Sequence, residues 1–269
     1  MGIIALLTDF GIDDPYVGVM KGVILSINPN AVIVDITHSV DKYQVLQGAL
    51  ILRSCYKYFP RETIFTVVID PGVGSMRRAI AIRTSNYVFI GPDNGVLTPA
   101  AFDDGIIDVY EIRKYTLPAV SKTFHGRDVF APVAAYISKG GLIEDIGGRV
   151  SVDSITTIEV SGAEVHNGEV IGKVIYIDSF GNAVTNIHPN NLKSLGIDEG
   201  GLVNVEVNRV QYRIPWVKAY SDVKQGELLI ITNSFNYIEL SVNQGNASKT
   251  LKLEIGSEIV VKPCRQQSL

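Results

Sequence analysis

Between residues 3 and 69 the chain alternates continuous apolar runs with helix-spaced segments, and few folds accept that order. Ile3 to Thr8 is an unbroken apolar run, as expected of a strand covered on both faces. Tyr16 to Ile27 has helical spacing, with Val17, Met20, Val23, Ile24 and Ile27 on one side, and Pro29 ends it. Ala31 to Ile36 reads as a second strand, Val45 to Tyr58 as a second helix stopped by Pro60, and Thr63 to Ile69 as a third strand. This β-α-β-α-β order predicts a parallel sheet with right-handed crossovers.

Beyond residue 70 the pattern changes. Ala79 to Arg83 and Tyr87 to Ile90 read as strands paired around Ser85-Asn86, and Ile106 to Glu111 as another strand. Val129 to Lys139 reads as a helix with Pro132 in its first turn, ended by Gly140-Gly141. From about residue 150 helical spacing disappears. The runs Glu169 to Asp178, Leu202 to Val207, Val210 to Ile214, Leu228 to Thr232, Tyr237 to Val242 and Leu251 to Val261 read as short strands of a small antiparallel barrel or sandwich. The join falls in the polar stretch 150–165. No fixed-period repeat or low-complexity tract interrupts the chain.

Composition narrows the functional class. With 46% hydrophobic and 19% charged residues the chain can bury a substantial core. A net charge of -4 without a dense Lys/Arg cluster argues against nucleic acid as a partner. No apolar run reaches the roughly 18 residues of a membrane span. The apolar N-terminus lacks a basic lead and a cleavage site, so it reads as a buried strand and not a signal peptide. Cys55 and Cys264 lie far apart with no metal spacing, and Cys55 reads as a core thiol. A reduced, cytoplasmic setting is the default expectation.

In a parallel sheet, ligands bind beyond the carboxyl ends of the strands. The loops there read Thr8-Asp9-Phe10-Gly11 with Asp13-Asp14, Asp70-Pro71-Gly72-Val73-Gly74-Ser75 with Arg77-Arg78, and Gly91-Pro92-Asp93-Asn94-Gly95; a fourth, Thr123 to Asp128, precedes a helix. In the β-rich half, Ile177 to Asn182 forms a turn. Each feature has an ordinary reading. Asp9 suits a helix cap, though Asp14 is equally available. Gly72 and Gly74 suit a tight turn and lack the phosphate-binding spacings. Arg78 suits a surface charge; His38, His188 and Trp216 suit structural positions. Together, however, Asp, Arg and His occupy loops that converge at one sheet edge. Such a trio can orient and polarise a water molecule. His and Cys are too few and scattered for a metal cage, and no Gly-x-Ser-x-Gly elbow is present.

Those loops resemble a known family. Leu7-Thr-Asp-Phe-Gly11, Asp70-Pro-Gly-Val-Gly74, Pro92-Asp-Asn-Gly95, Phe124-His-Gly-Arg-Asp128 and Phe180-Gly-Asn182 are similar in order and spacing to the S-adenosylmethionine hydrolases, the SAM hydroxide adenosyltransferases, from residue 3 to about residue 262. The resemblance implies an α/β N-terminal domain with a parallel, Rossmann-like sheet over residues 1–155. An all-β domain, a small antiparallel barrel, follows over 165–264. It implies Asp70, Arg77 and His125 as the catalytic residues, with Arg77 preferred over its neighbour Arg78 by its distance from the aspartate. Asp9 would bind the ribose, with Phe10, Phe124 and Gly126 beside it. Asp14 and Asp178 would lie near the methionine ammonium. Phe180 and Asn182 would hold the adenine, and Asn233 and Ser234 the loop around the methionine carboxylate.

The implied reaction is attack of water or hydroxide on the ribose 5′ carbon of S-adenosyl-L-methionine, giving adenosine and methionine, with no metal and no further cofactor. The implied assembly is a homotrimer with sites at subunit interfaces. The related fluorinating enzymes resemble the chain too, but carry Tyr at Asp70, Tyr at His125, Ser at Gly126 and Arg at Phe235. A halide here would face the Asp70 carboxylate, which Coulomb repulsion disfavours. The alternatives are such a halogenase and a non-catalytic adenosyl-ligand sensor.

Overall fold

The computed structural model describes residues 2–159 and 161–264, so Met1 of the expected first domain lies outside them. The chain divides into two compact units, Met1–Glu159 and Val160–Leu269.

In the first unit the elements are β1 (Ile3–Thr8), α1 (Tyr16–Ile27), β2 (Val32–Thr37), α2 (Val45–Cys55), β3 (Ile64–Val68), β4 (Ala79–Thr84), β5 (Val88–Pro92), α3 (Thr98–Asp104), β6 (Ile106–Ile112), α4 (Ala131–Ser138) and β7 (Gly147–Val150). The sheet order is β2-β1-β3-β5-β4-β6-β7. The pairs β1–β2, β1–β3 and β3–β5 are parallel, and β4–β5, β4–β6 and β6–β7 are antiparallel.

Alternation along β1 explains its unbroken apolar run. Ala5 and Leu7 face a core completed by α2 and α3, with Ala49, Leu52, Ala100 and Ala101. Ile4 and Leu6 face the other core, with Met20 and Ile24 of α1 and Val133 and Ala134 of α4. From Ile4 to Thr8 every side chain of the strand is therefore buried on one face or the other, as a sheet sandwiched between helices requires, and only Ile3 at its start is half-buried. Each full burial of an aliphatic side chain contributes about 1.5–3 kcal/mol.

β1 leaves toward β2 on one side, and β3 returns on the other. The crevice between β1 and β3 is thus a topological switch point, where loops diverge and leave room for a ligand.

The structure corrects three details here. The second helix ends at Cys55 and tightens into a 3₁₀ turn over Tyr56–Tyr58. The helix ahead of Lys139 starts earlier than Val129, as a π-helical turn over Gly126–Phe130 that runs into α4. A seven-residue helix, α3, occupies Thr98–Asp104 where none was expected.

The second unit contains β8 (Glu164–His166), β9 (Glu169–Ile177), β10 (Ala183–Thr185), α5 (Pro189–Lys193), β11 (Leu202–Val207), β12 (Val210–Val217), β13 (Leu228–Thr232), β14 (Ile238–Val242), α6 (Ala247–Leu251) and β15 (Glu258–Pro263). Pairing runs β10-β14-β13-β12-β11-β15-β9, and β10 also pairs with β9, which closes a barrel; β8 extends it beyond β9. Trp216, Ile230, Leu240 and Val261 lie in its apolar core.

Two expectations change in this unit. The run from Leu251 is not strand from its start: α6 ends there, and β15 begins at Glu258. The barrel is not wholly antiparallel, because Trp216 and Val217 pair in parallel with Ile230 and Ile231. The chain between them crosses over through a 3₁₀ turn at Tyr220–Asp222 instead of a hairpin. Among the described residues no helix is long and apolar enough to cross a membrane.

Candidate active site

Each candidate loop of the first unit is shaped by its own sequence. After β1, the Thr8 hydroxyl accepts from the Phe10 N–H at 3.2 Å, and Gly11 turns the chain at φ +75°, a region that favours glycine. Asp9, buried at the strand end, accepts from the Tyr43 N–H through Oδ2 at 2.9 Å. It does not cap α1, whose N-cap is Pro15 with no side-chain hydrogen bond. The cap reading of Asp9 therefore fails, and its carboxylate accepts from the loop after β2 instead.

After β3 the chain folds back on itself. The Val73 N–H donates to the Asp70 carbonyl at 3.2 Å and the Ser75 N–H to the Gly72 carbonyl at 3.1 Å. This double turn returns Arg77, seven residues on, against Asp70: Nε donates to Oδ1 at 2.9 Å, and Nη2 closes on Oδ2. The pair is bidentate and charge-assisted, with side chains only 10% (Arg77) and 5% (Asp70) exposed. Nη2 also donates to Nδ1 of His125 at 2.7 Å, and the guanidinium carbon lies 5.5 Å from the centre of the Phe130 ring. Arg77 thus bridges the aspartate and the histidine.

Arg78 is not a free surface charge. It pairs with Asp93, donates to the Ser154 hydroxyl at 3.1 Å, and leaves the trio to Arg77. Asn94 secures the end of β3 by donating to the Ile69 carbonyl at 2.8 Å.

His125 opens the π-helical turn, a geometry frequent at functional sites. Its pKa is lowered, first by burial and then by the Arg77 charge, against the opposing pull of Asp70 and Asp128. Arg77 has no lone pair to offer, so Nδ1 accepts and the ring proton resides on Nε2. The fully buried Asp128 fixes this segment, accepting from the Ser121 N–H at 2.7 Å and from Arg127 at 2.5 and 2.9 Å. The Arg127 bond holds the Asp128 carboxyl below the usual range.

These loops enclose a cavity of about 250 Å³. Asp9, Asp14, Asp70, His125 and Gly126 line it, and the rings of Phe10, Tyr16 and Phe124 meet one another at 5.2 to 5.8 Å along its wall. Arg77 stands behind, bonded to Asp70 and His125. Gly126 has little spare room: a Cβ there would lie 3.1 Å from Met20 Sδ, 3.3 Å from Phe124 and 3.4 Å from Phe10. Among the described residues no group of three or more His, Cys, Asp or Glu side chains is placed to hold a metal ion.

The cavity also takes Lys42 and Tyr43, which the sequence reading passed over. The signal was available. β2 lies parallel and next to β1, so the loop after it opens on the same sheet edge as Asp9.

The remaining candidates lie in the second unit, in two turns. Asp178 accepts from the Phe180 and Asn182 N–H groups, both at 2.9 Å, and from the Asn182 side chain at 2.9 Å. That leaves Asn182 buried and Phe180 75% exposed at the tip. Asn233 shapes its own turn, accepting from the Phe235 and Tyr237 N–H groups at 3.0 and 3.1 Å, while Ser234 is exposed. Asn233 also donates to the buried Glu239, on which the Tyr220 and Ser241 hydroxyls converge at 2.8 Å.

The chain matches two family descriptions: SAM hydroxide adenosyltransferase N-terminal domain over residues 4–147, and SAM hydroxide adenosyltransferase C-terminal domain over residues 172–260. It is similar to (R)-S-adenosyl-L-methionine hydrolases from Methanocaldococcus jannaschii, 36% identical over 97% of this chain and 96% of the relative, and from Thermus thermophilus, 33% identical over 94% and 96%. A fluorinase from Nocardia brasiliensis is 28% identical over 97% of this chain and 96% of its own. The solved structure of an uncharacterized conserved protein from Thermotoga maritima superposes with a TM-score of 0.91 at 40% identity, covering 97% of this chain and all 100% of the other.

Proposed function

The chain belongs to the SAM hydroxide adenosyltransferase family, and on that premise we propose that it is an enzyme that hydrolyses S-adenosyl-L-methionine to adenosine and L-methionine. The observation that carries the reading is that Asp70 and His125 line one cavity and are joined behind its wall by Arg77.

Water enters donating to Asp70 and accepting from the Nε2–H of His125. Its oxygen forms a bond to the 5′ carbon of the ribose as the C5′–S bond breaks. The bonding pair passes to sulfur, which leaves as a neutral thioether, and the water's proton passes along its hydrogen bond to the Asp70 carboxylate and on to solvent. A sulfonium needs no acid to depart and no cofactor to activate it. Catalysis therefore comes from placing the nucleophile in line and from replacing its solvent shell with fixed dipoles. Arg77 orients the Asp70 carboxylate through its bidentate bond and holds His125 neutral through Nδ1, the arrangement this placement needs.

Asp9 accepts the ribose hydroxyls, and Asp14 faces the cationic amino-acid end. Phe180 and Asn182 hold the adenine side and Asp178 joins Asp14 near the methionine ammonium, all three supplied in this reading by the second unit of a neighbouring subunit in a cytoplasmic homotrimer. Hydrolysis is favoured over halide transfer because a halide ion in the nucleophile position would meet the Asp70 carboxylate.

The test is incubation of the pure protein with S-adenosylmethionine, with and without chloride and fluoride, and chromatography of the products. Equal amounts of adenosine and methionine, lost in Asp70→Ala, support the reading. A 5′-halogenated adenosine, or binding without turnover, overturns it.

A further inference from the structure

We propose that Lys42 is a ribose-binding residue of this site, donating from its ammonium to one hydroxyl of the diol whose protons Asp9 accepts; this rests on reading the cavity as an adenosyl site.

Two consecutive residues of the loop after β2 address Asp9 from two sides. The Tyr43 N–H donates to the carboxylate Oδ2 at 2.9 Å, and Lys42 Nζ donates to the Asp9 carbonyl at 2.5 Å. Tyr43 adopts φ 67°, a left-handed conformation that an aromatic residue takes only when its surroundings impose it. The neighbouring strand is tied in too, since the Gly11 N–H donates to the His38 carbonyl at 2.7 Å. The loop after β2 is therefore clamped onto the loop that presents Asp9.

A lysine serving only to tie two loops would account for one hydrogen bond. Lys42 has more to offer. Its anchor is the Asp9 backbone carbonyl and not the carboxylate. An ammonium carries three N–H donors, of which the carbonyl occupies one. Lys42 also lines the same cavity as Asp9, Asp14 and Asp70, and among the described residues no other lysine or arginine lines it.

The chemistry of a vicinal diol fits that pairing. Each hydroxyl has one proton to give and lone pairs to receive. A carboxylate can take the protons only, and one oxygen of Asp9 already serves Tyr43. The hydroxyl oxygens then need a donor from the cavity wall, and the spare N–H groups of Lys42 supply it. A hydrogen bond to a charged group of this kind contributes about tenfold to a hundredfold in affinity.

The test measures binding of adenosine, 2′-deoxyadenosine and 3′-deoxyadenosine by calorimetry to the full chain, to Lys42→Met and to Lys42→Arg. The wild type should bind both deoxynucleosides more weakly than adenosine, because each lacks one Asp9 contact. In Lys42→Met, adenosine affinity should fall about tenfold or more. The penalty for removing one of the two hydroxyls should shrink, with the other penalty unchanged, and Lys42→Arg should restore most of it. Unchanged penalties in Lys42→Met overturn the proposal. So does loss of both penalties together, the signature of a collapsed Asp9 loop, and so does a wild type that does not distinguish the three nucleosides. Binding needs no turnover. A chain that fails to hydrolyse S-adenosylmethionine but shows the Lys42 pattern sinks the hydrolase reading alone, and a hydrolysing chain without the pattern sinks only this one.

Discussion

Nη2 of Arg77 lies 2.7 Å from Nδ1 of His125, and because a guanidinium only donates, the imidazole is held neutral with its proton on Nε2. Burial and the Arg77 charge lower its pKa below the ordinary value of about 6.5. Protonation would set an N–H against the guanidinium. The acid limb of kcat/KM should therefore lie below pH 6.5, and nitrogen-15 spectra at pH 7 should show the Nε2–H tautomer. An acid limb above pH 6.5 contradicts this.

Stability follows the same sign. A histidine whose folded-state pKa is depressed contributes stability that is present above its unfolded value, and loses it as pH falls through the folded value. Asp128, also lowered, contributes above the carboxylate's ordinary value of about 3.9 and loses that contribution in stronger acid. Thermal melts from pH 8 to pH 4 should show a decline beginning below about pH 6.5. That first part of the decline should shrink in His125→Gln.

The Asp70–Arg77 pair is nearly buried, so removing one partner leaves the other charge without compensation. Arg77→Ala should cost about 3–5 kcal/mol of stability and lower kcat by about 10²–10⁴. Adding Asp70→Ala should then cost much less than it does alone, since the two share one interaction. Denaturant titration of the two single variants and the double variant checks this, and additive losses argue against the pairing.

Gly74 has φ +75°, and a Cβ there would fall 2.1 Å from the Lys122 carbonyl oxygen. Gly74→Ala should cost about 1–3 kcal/mol in backbone strain. It should also lower kcat, because the pushed segment leads directly to His125. Gly18, within α1 and with nothing within 4 Å of a new Cβ, is the control. Gly18→Ala should stabilise by about 0.5–1 kcal/mol without touching kcat.

Gly126→Ser places a side chain 3.1 Å from Met20 Sδ and against two rings of the cavity wall. Met20 can give way, so the variant should fold. Its KM for S-adenosylmethionine should rise, and no halogenated product should form while Asp70 remains. A product bearing halide would show that residue 126, and not Asp70, decides the nucleophile.

Much of the first unit was legible because its strands are covered on both faces and its helices keep one apolar stripe. Ile3–Thr8 and Tyr16–Ile27 stand where the pattern put them. α3 escaped because Thr98–Asp104 is two turns long with a proline at its second position, too short for periodicity to speak. The Leu251 run misled because α6 and a polar turn interrupt an apolar stretch before β15. The parallel step between β12 and β13 depends on a crossover that no local residue announces.

At the site, Asp70 and His125 were visible as polar residues in glycine-rich loops. The Arg77 bridge between them was not, since it depends on the double turn at Asp70–Ser75 bringing the chain back. Lys42 and Tyr43 were missed because their loop contains no glycine and reads as an ordinary connection.

If this site delivers the oxygen of water to the ribose 5′ carbon, that oxygen remains in the nucleoside product. Turnover of S-adenosylmethionine in oxygen-18 water, read by mass spectrometry, tests it most directly. The expected result is one oxygen-18 atom in the 5′ hydroxyl of adenosine and none in methionine. Label in methionine, or adenosine without label, would contradict it.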